Sequence, residues 1–214
     1  LFSFSVLSAD LYEGYMLYTP GGGGGGNTSY YKDWNGNTVN SWAHSNGPAS
    51  MPYLFPSVDG GVENSLLYYP CRSNNPTMDT GGVGGKVVIY NWDGDALYTY
   101  NIDSDEYNHH HDIVVLPNGN FIVIAWERLY SSDWQALGRT SVDNNLNQMW
   151  AEAFFEIEPT FDGRTESIDN FDAVVWEWHI TDHLVQDVDT SIDNYGEISN
   201  HPELFDVNCG SVGT

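Results

Sequence analysis

The feature that most restricts what this chain can fold into is a recurring unit: an aromatic strand, an Asn-Gly or Asp-Gly pair, and a second strand ending in aromatics. The first copy reads Tyr30-Tyr31-Lys32-Asp33-Trp34-Asn35-Gly36-Asn37-Thr38-Val39-Asn40-Ser41-Trp42, and the second Val88-Ile89-Tyr90-Asn91-Trp92-Asp93-Gly94-Asp95-Ala96-Leu97-Tyr98-Thr99-Tyr100. A looser third copy begins at Phe154-Phe155-Glu156-Ile157-Glu158-Pro159, turns at Asp162-Gly163, and resumes after an insertion at Ala173-Val174-Val175-Trp176-Glu177-Trp178. Asn, Asp and Gly accept positive φ, so each copy is read as a hairpin closed by a type I′ turn.

Further strand pairs lie between the copies. Tyr53-Leu54-Phe55 leads through Asp59-Gly60 to Leu66-Leu67-Tyr68-Tyr69, and Ile113-Val114-Val115-Leu116 leads through Pro117-Asn118-Gly119-Asn120 to the strand 121–126. Two hairpins per period make a four-stranded sheet, and such sheets recurring every roughly 50 to 70 residues predict propeller blades with loop insertions. The expected fold is all-β: an incomplete β-propeller arc of about three blades over residues 10–214. Propellers close with about 4 to 8 blades, so the polypeptide is expected to continue. Short helices are expected at 133–138 and 144–152, as insertions between strands.

Residues 1–9, LFSFSVLSA, are apolar with small residues near their end, like the last part of a signal peptide, with an ordinary first strand as the alternative. They are too few to cross a bilayer as a helix. Six Lys and Arg against thirty Asp and Glu give a formal charge of -24. That field repels phosphate backbones and anionic membrane surfaces, which argues against nucleic acid as a partner and against membrane insertion. Cys71 and Cys209 are the only cysteines and form no CxxC pair, so neither zinc nor redox chemistry is indicated. A bridge between them is left open for an oxidising compartment. Glycines 21–26 lack the Gly-Lys-Ser/Thr of a phosphate loop and read as a linker.

The residues with most chemical potential are His109-His110-His111, which run into Asp112 and a strand. In extended backbone His109 and His111 share one face and His110 takes the other. On an innermost blade strand they would meet substrate. Equally, they could be a surface cluster satisfied by water and by Asp103, Asp105 and Glu106. His179, His183 and His201 are read as structural or loop-anchoring, since HExxH is absent. Asp187, Asp189 and Asp193 lack the Gly and terminal Glu of an EF-hand. No Gly-x-Ser-x-Gly elbow occurs.

Taken in order, His110-His111-Asp112-Ile113, Leu116-Pro117-Asn118-Gly119-Asn120, Ile124-Ala125-Trp126-Glu127, Val174-Val175-Trp176-Glu177-Trp178-His179, Asp182-His183-Leu184-Val185-Gln186-Asp187, Asn194-Tyr195-Gly196 and His201-Pro202-Glu203-Leu204 resemble the bacterial arylsulfotransferase family. The likeness spans about residues 14–208 and is most specific in the second half. It implies a six-bladed propeller, exported from the cell and so secreted or periplasmic, that moves a sulfuryl group from a phenolic sulfate ester to a phenol. A histidine carries the sulfuryl group, and no cofactor or metal is required. The family's first channel histidine maps to His111, which directly precedes the Asp, with His110 as the second choice. A later His and Arg, and the sulfuryl-accepting His in a Gln-His-Asp context, find no counterpart before Thr214; Arg128, Arg139 and Arg164 do not match. The 214 residues alone are therefore expected to be inactive. The alternatives are a non-catalytic extracellular propeller that serves as a binding scaffold, and a metal-binding His/Asp surface.

Overall fold

The computed structural model describes residues 13–21, 27–57 and 60–210. The leader expected at 1–9 and glycines 22–26 lie outside the described residues. The class is all-β. Three main sheets, antiparallel except for one parallel edge strand on the second, follow one another along the chain, a short parallel pair comes after them, and none closes on itself.

The first sheet is β1 (Tyr15–Tyr18), β2 (Thr28–Asp33) and β3 (Thr38–Ala43), in that order. The second is a meander of β4 (Tyr53–Phe55), β5 (Leu66–Arg72), β6 (Gly85–Tyr90) and β7 (Ala96–Asn101). The third comprises β8 (Tyr107–Val115), β9 (Phe121–Leu129), β10 (Met149–Ile157) and β12 (Val174–His179). Both four-stranded groupings follow the hairpin pairs expected from the sequence.

The turns differ from expectation in type. At Gly36, Gly94 and Gly119 only the glycine has positive φ (84°, 93° and 88°); the preceding Asn35, Asp93 and Asn118 do not. Each glycine N–H donates three residues back, to Asp33, Asn91 and Leu116. Those residues in turn take the carbonyls of Asn37, Asp95 and Asn120 as acceptors. This is a three-residue loop, a type I turn followed by a left-handed glycine, rather than the two-residue type I′ turn. Side chains lock two of the loops: the Asp33 carboxylate accepts from the backbone N–H and the amide of Asn37, at 2.8 and 2.9 Å. Asn91 and Asp95 make the equivalent pair at 2.8 and 3.0 Å.

The middle sheet is apolar on both faces. Alternation along β5 and β6 sends Leu67, Tyr69, Cys71, Val88 and Tyr90 toward the first sheet, where Trp42 is buried among them. Tyr68, Val87 and Ile89 point the other way and meet Phe121, Val123, Ala153 and Phe155 of the third sheet. Unbroken apolar strands are what a sheet covered on both sides requires. Aromatic donors fasten the layers: Trp42 Nε1 donates to the Asn91 carbonyl at 2.8 Å, and the Tyr68 hydroxyl to the Gly119 carbonyl at 2.6 Å.

Two expectations in the third sheet need correction. Residues 144–152 hold no helix: β10 begins at Met149, and Ala151, Ala153, Phe155 and Ile157 alternate into the core. The apolar period of two outweighs helix propensity here. The insertion of the third copy is not a simple loop either. It lays β11 (Thr165–Ser167) parallel to β7 on the edge of the middle sheet before β12 returns to pair with β10. The other expected helix is present as α1 (Ser131–Ala136), with the Asp133 carboxylate capping the Tyr130 N–H at 2.8 Å. A last parallel pair, β13 (Leu184–Val185) and β14 (Phe205–Asp206), is anchored by Arg139, whose guanidinium donates to the carbonyls of Val207, Cys209 and Gly210. Among the described residues no helix is long and apolar enough to cross a membrane.

A Cβ on Gly94 would meet nothing within 4 Å, so its requirement is conformational alone. Gly94→Ala is expected to cost about 1 kcal/mol through left-handed backbone strain, read as a lowered midpoint in urea unfolding. An unchanged midpoint would mean that the loop has another accessible turn.

Candidate functional site

The His109-His110-His111-Asp112 segment lies in the middle of β8, at a break in its pairing. His109 stands opposite Ala125 and Ile113 opposite Val123, so three residues of β8 face the single Ile124 of β9. His111 takes up the excess with φ of 57°, a left-handed conformation that is uncommon outside glycine. The displaced backbone is paired again on its other side. Gly84 N–H donates to the His109 carbonyl at 2.9 Å, and His111 N–H to the Gly82 carbonyl at 2.7 Å.

That second pairing explains a glycine-rich stretch, Gly81-Gly82-Val83-Gly84-Gly85, whose role the sequence reading missed. A Cβ on Gly84 would lie 2.1 Å from His109 Nδ1, and one on Gly82 would lie 2.3 Å from His111 Cε1. Both imidazoles rest directly on backbone, and only glycine lets them.

The strict alternation expected of the three histidines gives way at this bulge. His109 is fully buried, and burial holds its imidazole down at about 4, so it is neutral near pH 7. Its Nδ1 accepts from the Gly85 N–H at 3.3 Å, which places its proton on Nε2, facing the Asp112 carbonyl at 3.4 Å. His109 is structural. His110 is buried and stacked on Trp126, with ring centroids 4.3 Å apart. Its Nε2 meets Glu152 Oε2 at 2.9 Å, and its Nδ1 meets His111 Nδ1 at 2.8 Å.

These contacts form a chain from carboxylate to imidazole to imidazole. With the Glu152 carboxylate accepting from His110 Nε2–H, the His110 Nδ1 lone pair accepts from His111 Nδ1–H, the tautomer pair that satisfies both contacts and leaves a lone pair on His111 Nε2. Glu152 was missed at the sequence level because its segment was read as helix; the alternation of 151, 153, 155 and 157 was the available signal.

His111 is exposed and, with Asp112, lines a cavity of about 530 Å³. The other walls come from Leu17, Tyr18 and Thr19 at the end of β1 and from the loop 48–51. Asp112 is held by three donors: Ser50 Oγ at 2.8 Å, the Tyr53 hydroxyl at 2.7 Å, and the Ile113 N–H at 2.9 Å. Burial and the bond to Asp112 push the Tyr53 phenol up to about 12, so it donates throughout the physiological range. No Lys or Arg lines this cavity among the described residues.

The remaining candidates lie elsewhere. His179 pairs with Glu127 at 3.1 Å, His183 stacks on Trp178 at 4.8 Å, and His201 meets Glu203 at 3.1 Å. Arg128 donates to the Thr77 carbonyl, and Arg164 pairs with Asp162 on the surface. Cys71 is buried and Cys209 exposed, both as free thiols, so the bridge left open by the sequence is not made. Among the described residues no group of three or more His, Cys, Asp or Glu is arranged to hold a metal ion. In Asp187–Asp193, Asp189 instead accepts from the backbone and hydroxyl of Ser191.

Fold and site together define an all-β protein of stacked sheets with a relayed imidazole in an inter-sheet cavity. Comparison with protein-family models, curated proteins and solved structures finds no match for the chain.

Two outcomes test this geometry. Gly84→Ala forces a methyl into a ring that has no room to retreat, and is expected to lower stability on the order of 2 kcal/mol in urea unfolding, more than Gly94→Ala. The second concerns acid. His44 and His109 are both held down at about 4 by burial, against 6.5 when unfolded. Below pH 6.5 the unfolded chain binds protons that the native state refuses, so stability falls as pH falls toward 4. The expected loss between pH 7.5 and 5 is about 2 kcal/mol per histidine; a urea midpoint that stays flat over that window contradicts the burial of both rings.

Proposed function

We propose that the stacked sheets are blades of a β-propeller, and that the cavity at His111 belongs to an aryl-sulfate sulfotransferase of the arylsulfotransferase type. The observation that carries this reading is the Glu152–His110–His111 chain, which ends in an accessible imidazole lone pair at a cavity. An imidazole so oriented serves near neutral pH as an acid/base group for a phenolic oxygen.

In this scheme the bond between sulfur and the donor phenol's oxygen breaks as the sulfuryl group passes to a separate histidine, and the departing phenolate takes its proton from solvent. In the second half, the acceptor phenol gives its proton to the bare His111 Nε2 as its oxygen bonds to sulfur and the bond between sulfur and the separate histidine breaks, and His111 then passes that proton to solvent. His110 and Glu152 orient the ring and stabilise its protonated form. The sulfuryl-accepting His, in a Gln-His-Asp context, and the Arg that holds the sulfuryl oxygens are groups these 214 residues do not supply. An exported, secreted or periplasmic setting follows from the same resemblance. The absence of a cation from the described cavity walls favours one other reading, a propeller that binds without catalysing.

The test is release of 4-nitrophenol from 4-nitrophenyl sulfate with phenol as acceptor. The 214-residue chain is expected to be silent and the whole gene product active, with His111→Ala lowering kcat/KM of the latter by about 10²- to 10⁴-fold. A whole gene product without transfer, or one that is indifferent to His111→Ala, overturns the assignment.

A further inference from the structure

A second hydrogen-bonded chain, from the first sheet, runs into the same cavity. Thr19 Oγ1 lies 2.6 Å from Ser29 Oγ, and Ser29 Oγ lies 2.7 Å from His44 Nε2. Ser29 is fully buried, and His44 is buried and stacked face to face on Tyr69, with centroids 3.5 Å apart. Three polar side chains in line, two of them in an aromatic interior, are costly unless each donor finds an acceptor.

The direction of the chain follows from one unpaired atom. His44 Nδ1 is buried without a partner. The ring is neutral near pH 7, since burial alone holds it at about 4. A neutral ring has one N–H and one lone pair. Leaving an N–H unpaired in an apolar interior is the rarer arrangement, so the proton belongs on Nε2 and the bare lone pair on Nδ1. Nε2–H then donates to Ser29, Ser29 donates to Thr19, and the Thr19 hydroxyl proton meets no acceptor among the described residues. Thr19 lines the cavity.

The two walls are thus complementary: Thr19 offers a donor, and His111 Nε2 an acceptor. A group able to use both at once accepts one hydrogen bond and donates another, which is what a neutral hydroxyl does. An anionic sulfate ester oxygen can accept from Thr19 but has no proton to offer His111 Nε2. We propose that Thr19, oriented by Ser29 and His44, is a specificity-determining donor that with His111 selects a neutral hydroxyl-bearing aromatic ligand, the acceptor phenol. The aromatic and apolar neighbours Leu17, Tyr18 and Met51 suit its ring. The inference deepens the sulfotransferase reading and rests on it for the name of the ligand, while its hydrogen-bond pattern does not require turnover.

Binding of phenol, anisole and toluene to the protein, followed by NMR titration, separates the roles. Phenol can donate and accept, anisole can only accept, and toluene does neither. Thr19→Val is expected to weaken phenol and anisole about fivefold while leaving toluene unchanged, and Thr19→Ser to restore both. His111→Phe, which keeps a ring over Gly82, is expected to reduce phenol to the level of anisole without affecting anisole. Equal losses for all three ligands in Thr19→Val, no loss for phenol, or no phenol binding by the unaltered protein overturns the inference. The expected pattern in a gene product that transfers no sulfuryl group would instead overturn the enzymatic reading and leave the hydroxyl site standing. Transfer with kcat and KM unchanged in Thr19→Val would do the reverse.

Discussion

Burial of the middle sheet on both faces is the interaction on which the rest of the molecule depends. β5 and β6 are apolar at consecutive positions, and the pleat shares those residues between two neighbours: Leu67, Tyr69 and Val88 to one side, Tyr68, Val87 and Ile89 to the other. Removing that apolar surface from water is what holds three separate hairpin systems in one stack. The stack in turn brings Thr19, from the first sheet, and His111, from the third, to the walls of one cavity. Neither wall belongs to the middle sheet, yet both are placed by it.

The hairpin loops contribute a second level of order. Their glycines close a three-residue loop whose outward carbonyls then accept from the neighbouring layer, Asn91 from Trp42 and Gly119 from Tyr68. A loop that sets strand register therefore also sets the distance between sheets. The Asn-Gly and Asp-Gly pairs announced hairpins correctly but not their type, because the sequence pair is compatible with two-residue and three-residue loops alike. In two of the three loops the flanking Asp33, Asn37, Asn91 and Asp95 hold the three-residue form by bonding across it, and in the third the Asn118 side chain inside the loop accepts from the Asn120 N–H.

Much of the strand order was legible in the sequence, since alternation and turn residues are local. What was not legible is non-local. β11 leaves its own sheet to join β7, a pairing that no periodicity in Thr165–Ser167 encodes. Glu152 was hidden by a helical reading of a segment whose alanines alternate with bulky residues. His111 was singled out by its neighbour Asp112, but the reason it can reach His110 is a bulge, and a bulge depends on what the partner strand lacks. The glycines at 82 and 84 were visible as letters, and their purpose became visible only when the rings lying on them were seen.

Because the His109 and His111 rings lie against the main chain at Gly84 and Gly82, side-chain position and backbone position are not independent variables there. His111 N–H is also tied to the Gly82 carbonyl. A tilt of the outer ring must carry the short span 82–84 with it, and that span continues directly into β6 of the buried layer. Whatever occupies the cavity is thus felt as a load on the interior scaffold rather than absorbed by one rotating side chain, which makes the imidazole a rigid fixture instead of an adjustable arm.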